Sequence, residues 1–282
     1  MDSDAKRTPE TSRPHNTART SPDVPVTPET PVLVRRAALG AQQPAVSPRL
    51  ACSKRIAPLI DLPAGSIAAV VGCGGKTSLI KLLAETVDYR NILVSTTTKM
   101  YPIEFHPQSN TRCLGVMNKQ TGKLEAFPEH ELAGLIPGYD VTLLEADGSK
   151  GLPCKGWREN EPVVPDFCTH TIGLVTISAL RCAATEAFVH RLPKFLTLTG
   201  LREGGPITEQ ALESMVCAPG GMFKNSAGRR LLLVNQAESR EAERAARSLL
   251  LSIKEKHPDR FDRMFYGSVH LDAWYEVSTT RD

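Results

Sequence analysis

The fold is decided by Ser66-Ile67-Ala68-Ala69-Val70-Val71-Gly72-Cys73-Gly74-Gly75-Lys76-Thr77-Ser78. Residues 66–71 form an apolar run of the length of a buried strand, and residues 76–87 place Leu79, Ile80, Leu82, Leu83 and Val87 on one helical face. Between them stands a glycine turn that ends in Lys-Thr. Strand, glycine turn and helix in this order are what a phosphate-binding loop requires. Glycines let successive backbone N–H groups curl inward toward phosphate oxygens, and the helix N-terminus adds its positive dipole end. Gly72, Cys73, Gly74, Gly75, Lys76, Thr77 and Ser78 are therefore candidate nucleotide-binding residues. Lys76 supplies a point charge and Thr77 a hydroxyl for Mg²⁺. The spacing is the short G-x-x-G-K-[ST], because position 70 is Val.

Outward from this unit, short apolar runs alternate with helical periodicity, which is the sequence form of parallel strands joined by helices. Strands are expected at 91–95, 141–145, 171–177, 231–235 and 264–269, with a helix over 239–256. Residues 111–116 and 123–127, split by Asn118-Lys119-Gln120-Thr121-Gly122, read as a hairpin insertion, and 128–136 as a short helix. The expected fold class is α/β, a mostly parallel sheet flanked by helices, like that of P-loop NTPases, behind a disordered N-terminal tail. Residues 1–58 hold nine of the 21 prolines and no aromatic residue, so they bury too little apolar area to offset their ordering entropy. The expected boundary therefore puts a basic tail at 1–58 and the α/β domain at 59–282.

Composition narrows the function. Thirty-four Lys and Arg against 31 Asp and Glu give a net charge of only +3, which does not argue for a nucleic-acid binder. No apolar run has the length of a membrane helix, so no membrane partner is expected. The start Met-Asp-Ser-Asp has no basic and apolar leader, and seven cysteines lack any C-x-x-C pair. A reducing, cytoplasmic setting follows as the expectation.

Two further strand ends point at the same crevice, since ligands of open α/β sheets collect at the carboxyl ends of the strands. Ser95-Thr96-Thr97-Thr98-Lys99-Met100 offers its three threonine hydroxyls and the Lys99 ammonium for Mg²⁺-bound water or a terminal phosphate. Val141-Thr142-Leu143-Leu144-Glu145-Ala146-Asp147 ends in carboxylates, as strands beside a phosphate loop do when they hold Mg²⁺. Glu145 and Thr77 are the expected metal ligands, and Asp147 is expected to orient a second reactant. Lys76, Asp147 and Lys99 are the expected catalytic set. The Gly-, Pro- and charge-rich stretch that follows carries Lys150, Lys155 and Arg158, which suits a small anionic second substrate. Asn235-Gln236-Ala237-Glu238 is placed like the Asn-Lys-x-Asp base-reading turn of guanine-binding NTPases, with Gln and Glu substituted, so Asn235 and Gln236 join the nucleotide candidates. ATP is the expected nucleotide, with GTP as the alternative. Cys73, close to a helix N-terminus, is a candidate for a lowered thiol pKa, although a space-filling role is the simpler reading.

Two resemblances meet at these residues. The short glycine turn, the hydroxyl-rich strand end and Leu144-Glu145-Ala146-Asp147-Gly148-Ser149 resemble the ATPase domain of Mur-type amino-acid ligases. More closely, V-G-C-G-G-K-T-S, S-T-T-T-K-M, E-A-D-G-S-K-G-L-P-C-K, E-P-V-V-P, H-R-L-P-K-F, L-T-G-L and V-N-Q-A-E in this order resemble the YqeC family of accessory proteins of selenium-dependent molybdenum hydroxylases, over residues 64–270. That resemblance implies a P-loop ATPase, or an ATP-dependent transferase or ligase, acting in maturation of such a hydroxylase or its cofactor. A molybdenum hydroxylase or a cofactor-maturation protein would then be its partner. The alternatives are a nucleotide-gated delivery factor and a Mur-like ligase, the latter needing room for a further domain after the last expected strand.

Overall fold

The computed structural model describes residues 54–277. The elements are α1 (Ile56–Ile60), β1 (Ser66–Gly72), α2 (Lys76–Thr86), β2 (Ile92–Thr96), β3 (Lys99–Met100), β4 (Thr111–Cys113), β5 (Val116–Asn118), β6 (Lys123–Glu125), α3 (Glu129–Leu135), β7 (Val141–Glu145), β8 (Cys154–Lys155), β9 (His170–Thr176), β10 (Val189–His190), α4 (Leu192–Thr199), α5 (Glu209–Cys217), β11 (Arg229–Asn235), α6 (Arg240–Lys256), β12 (Arg263–Ser268) and β13 (Ala273–Val277). Eight strands form one sheet in the order β13-β12-β11-β9-β1-β7-β2-β4. All neighbours are parallel except the β12–β13 pair at one edge. The fold is thus α/β with a mostly parallel sheet.

Its strands are buried on both faces, which is why they read as continuous apolar runs rather than alternating ones. Ala68 and Val70 of β1 pack with Leu79, Ile80 and Leu83 of α2 and with α1. Ala69 and Val71 belong to the other face, together with Phe195 of α4, Met215 of α5 and Leu249 of α6. The α6 helix starts where Ser239 accepts a hydrogen bond from Ala242 N, with Glu241 and Glu243 in the first turn and Lys254 and Lys256 in the last. Both charge placements complement the helix dipole. Ala246, Leu249, Leu250 and Ile253 make its buried stripe.

The structure corrects two expectations. Residues 111–116 and 123–127 do not pair as a hairpin. Thr111–Cys113 instead adds to the main sheet parallel to β2, and the hairpin is β5–β6, extended by β3 into a separate three-stranded sheet. Gly115 separates the two roles: a Cβ there would stand 2.9 Å from Leu124 Cβ, so the chain passes β6 too closely for a side chain. The boundary expected after residue 58 falls inside α1, whose Ile56 and Ile60 are fully buried, and Lys54 bridges Trp274 of β13. The rest of the expected tail, residues 1–53, lies outside the described residues.

Among the described residues no helix is long and apolar enough to cross a membrane. The sheet leaves β1 at the point where strand order reverses: from it the chain runs outward to β2, returns to β7, and then crosses to β9 on the other side. Crevices for ligands form at the carboxyl ends of strands at such a reversal.

Candidate phosphate and metal site

The turn from β1 into α2 sits at that reversal. Gly72 has φ 100°, and a Cβ there would lie 2.2 Å from Leu174 O; Gly74 has φ 83°, and its Cβ would lie 2.5 Å from Thr176 Cβ. Both positions demand glycine on conformational and steric grounds. The turn is pinned to β9 by Cys73 N donating to Leu174 O at 2.9 Å. It is pinned to β11 by Asn235, whose Nδ2 donates to Gly74 O at 2.8 Å while its Oδ1 accepts from Val269 N at 2.8 Å.

Register brings the carboxylate in. Val70 of β1 is level with Glu145 of β7, so Glu145 ends beside the first turn of α2, where Thr77 Oγ1 donates to its Oε2 at 2.7 Å. Burial raises the Glu145 pKa, opposed by Lys76 and by the Thr77 bond. The two expected metal ligands are therefore adjacent. Among the described residues no cluster of three or more His, Cys, Asp or Glu side chains is arranged for a metal. A Mg²⁺ that takes one carboxylate, one hydroxyl, phosphate oxygens and water needs no such cluster, so the donors fit.

A cleft of about 740 Å³ opens over the turn, lined by Gly74, Lys76, Thr77, Glu145 and, from other segments, Thr98, Lys99, Lys150, Arg158, His190 and Arg191. Thr96 and Thr97 are spent on the scaffold, their hydroxyls donating to Glu145 O at 2.8 Å and Val163 O at 2.6 Å. Thr98 differs: its hydroxyl oxygen is buried with no hydrogen-bond partner among the described residues. An unpartnered hydroxyl on the cleft wall is costly unless something binds there. Lys99 also lines the cleft, with its ammonium 2.7 Å from Glu125 Oε1. Lys123 lies over the Tyr101 ring at 4.7 Å from its centroid, on the same wall.

Asp147 does not face the cleft, which corrects its expected role of orienting a second reactant. It is 0% exposed, and its two oxygens accept from Gly72 N at 3.1 and 3.0 Å, with Trp157 Nε1 at 2.8 Å and Lys155 Nζ at 3.2 Å on Oδ2. Lys76 Nζ lies 3.2 Å from Oδ1 and donates to Gly72 O at 2.7 Å. Burial would raise the Asp147 pKa, but Lys76, Lys155 and these donors hold it below the usual carboxylate range. The carboxylate thus organises the loop from beneath. Burial would likewise lower the Lys76 pKa, and Asp147 and Glu145 more than reverse this.

Lys155 was expected to meet an anionic substrate. It is instead fully buried, and besides Asp147 it holds Gly148 O at 2.7 Å and Glu161 Oε2 at 3.5 Å. Cys73 points into the apolar core, where burial pushes its thiol up to about 12, the reverse of the lowered pKa considered from sequence. Gln236 is exposed, and its side-chain oxygen accepts from the hydroxyls of Thr176 and Ser178.

The pairing of Glu161 with Arg191 was not read from the sequence. Arg191 binds both carboxylate oxygens, Nη2 at 2.7 Å from Oε1, and so closes the loop 148–161 against β10. Next to it, His190 lines the cleft, and burial together with Arg191, Lys155 and Lys150 holds its pKa down to about 4. It is a neutral imidazole at neutral pH.

A family model described as YqeC protein matches residues 68–193. An uncharacterised YqeC protein of Escherichia coli (strain K12) is 31% identical to this chain, over 70% of this chain and 87% of that protein. No solved structure matches the chain.

Proposed function

The chain belongs to the YqeC family, and on that premise we propose that it is a Mg²⁺-dependent P-loop nucleoside triphosphatase acting in maturation of a selenium-dependent molybdenum hydroxylase or its cofactor. The maturation role rests on the family resemblance of the sequence motifs. The phosphate chemistry rests on one observation: a glycine turn with positive φ at Gly72, Gly74 and Gly75 delivers Lys76 and Thr77 to a helix start, with Glu145 held 2.7 Å from the Thr77 hydroxyl. The turn's amides would bind the phosphates, and Lys76 would release Gly72 O to meet them. Thr77 and Glu145 would hold the ion, which supplies charge neutralisation of the transferred phosphoryl group. The Thr98 hydroxyl would gain a partner on the terminal phosphate side, near Lys99. Lys150 and Arg158 would favour a small anionic second substrate in the same cleft.

The seclusion of Asp147 favours a second reading. Among the described residues it leaves the cleft wall with Glu145 and Glu161 as its carboxylates, one bonded to Thr77 and the other clamped by Arg191, and with a neutral His190. With neither of these carboxylates poised toward an attacking water, intrinsic hydrolysis would be slow and the protein would act as a nucleotide-gated delivery factor for its partner. Phosphate release by the full chain separates the two by its rate. In either case Glu145→Gln is expected to raise the Mg²⁺ concentration needed for half-maximal turnover at least about tenfold, since even outer-shell groups cost that much. An unchanged Mg²⁺ requirement removes Glu145 from the metal site.

A further inference from the structure

We infer that the nucleobase is read by Glu238 in a second cleft and that the base is guanine; this rests on the nucleotide reading above and deepens it. A pocket of about 500 Å³ shares Gly74, Gly75 and Ser78 with the first cleft and extends to Asn235, Glu238 and His270 at the ends of β11 and β12. That size lies in the ~300–1,000 Å³ range of small-ligand sites. A polyphosphate gripped by the glycine turn, with its terminal group beside Thr77 and Glu145, has this pocket for the remainder of the nucleotide.

The chemistry of the pocket selects the base. Glu238 is half-buried and its Oε1 accepts from Ser268 Oγ at 2.7 Å; that hydroxyl is itself fixed by Leu271 N at 3.1 Å. The bond orients the carboxylate and leaves Oε2 for a ligand. Among the described residues Glu238 has no Lys, Arg or His ion-pair partner. Asn235 is tied to the scaffold by one amide N–H on Gly74 O and by its oxygen accepting from Val269 N, which leaves one amide N–H. A carboxylate only accepts hydrogen bonds. Guanine presents two adjacent donors on one edge, N1–H and the N2 amine. Adenine presents one donor beside the N1 lone pair, which a carboxylate repels. Selectivity here comes as much from rejecting adenine as from binding guanine.

Calorimetric titration of the full-length protein with Mg-GTP, Mg-ATP and Mg-XTP tests this. GTP is expected to bind about 10- to 100-fold more tightly than ATP, the span of a charge-assisted hydrogen bond gained or lost. Glu238→Gln replaces one acceptor by a donor of the same shape, which matches the N1–H and O2 edge of xanthine. The variant should therefore lose GTP affinity and gain XTP affinity, a gain that a misfolded protein cannot produce. ATP binding equal to or tighter than GTP, or an unchanged order of the three nucleotides in Glu238→Gln, overturns the guanine assignment alone. Absence of binding by all three overturns the nucleotide reading and this inference with it.

Discussion

Asp147→Ala is expected to lower the unfolding free energy by ~3–5 kcal/mol, the usual consequence of removing one member of a buried ionic cluster. The reason lies in what the carboxylate leaves behind. Lys76 is 4% and Lys155 0% exposed, and both ammonium groups lie 3.2 Å from Asp147. Without it, two buried cations face each other, and the Gly72 N–H and the Trp157 indole N–H lose their acceptor. For a domain of this size the loss corresponds to a fall in Tm of roughly 6–20 °C. A Tm within about 2 °C of wild type would mean that the cluster does not hold the loop. The pH dependence carries the same signature. The folded Asp147 pKa is depressed, so its contribution is complete above the unfolded value of ~3.9 and disappears as pH falls through the folded value. Asp147→Asn should abolish that component of the acid transition.

Lys76→Met is expected to reduce nucleotide turnover on the order of 10²–10³-fold, the cost of deleting one preorganised group that stabilises developing charge. Lys76 belongs both to the glycine turn and, through Asp147, to the platform below it. The substitution therefore also carries a stability cost of about 1.5–3 kcal/mol, the worth of a hydrogen bond to a charged group. That cost is smaller than for Asp147→Ala, because Asp147 keeps Lys155, Trp157 and the Gly72 amide. Turnover must accordingly be read on folded protein, at a temperature below the variant's Tm. Folded Lys76→Met protein that turns over at the wild-type rate would remove Lys76 from the phosphate site.

The two variants show where sequence reading stops. Strand ends such as Gly72, Glu145 and Asn235 were legible because buried parallel strands are apolar throughout and end abruptly in polar residues. The α6 helix was legible from its three- and four-residue steps. The α4 and α5 helices were missed although each carries a local signal. Pro193 sits in the first turn of α4, and the Thr208 hydroxyl accepts from Ala211 N to cap α5. The exchange of partners between β4 and the β5–β6 hairpin had no such signal, because both choices satisfy the same apolar pattern locally.

The candidate site divides in the same way. A glycine turn before Lys-Thr is a local code, and Glu145 is legible because an apolar strand downstream of it ends in that carboxylate. Asp147 and Glu145 look equivalent on paper, two acids two residues apart. Their roles separate because β7 ends at Glu145 and the chain then turns under Gly72, so one carboxylate faces the cleft and the other is sealed beneath it. Lys155 is taken inward for the same reason: it is the buried counter-charge that Asp147 requires. The Glu161–Arg191 clamp joins residues thirty positions apart, and only tertiary structure reveals such a pair.

Whether main-chain amides at the start of α2 grip a polyphosphate is read out by the backbone amide resonances of the protein, followed by NMR as Mg-GTP and Mg-ATP are added. Saturable shifts of Gly74, Gly75, Lys76 and Thr77 are expected, lost in Lys76→Met or moved to much higher nucleotide concentration. Amides at 74–77 that stay in place under saturating nucleotide, or shifts confined to another surface, would contradict that grip.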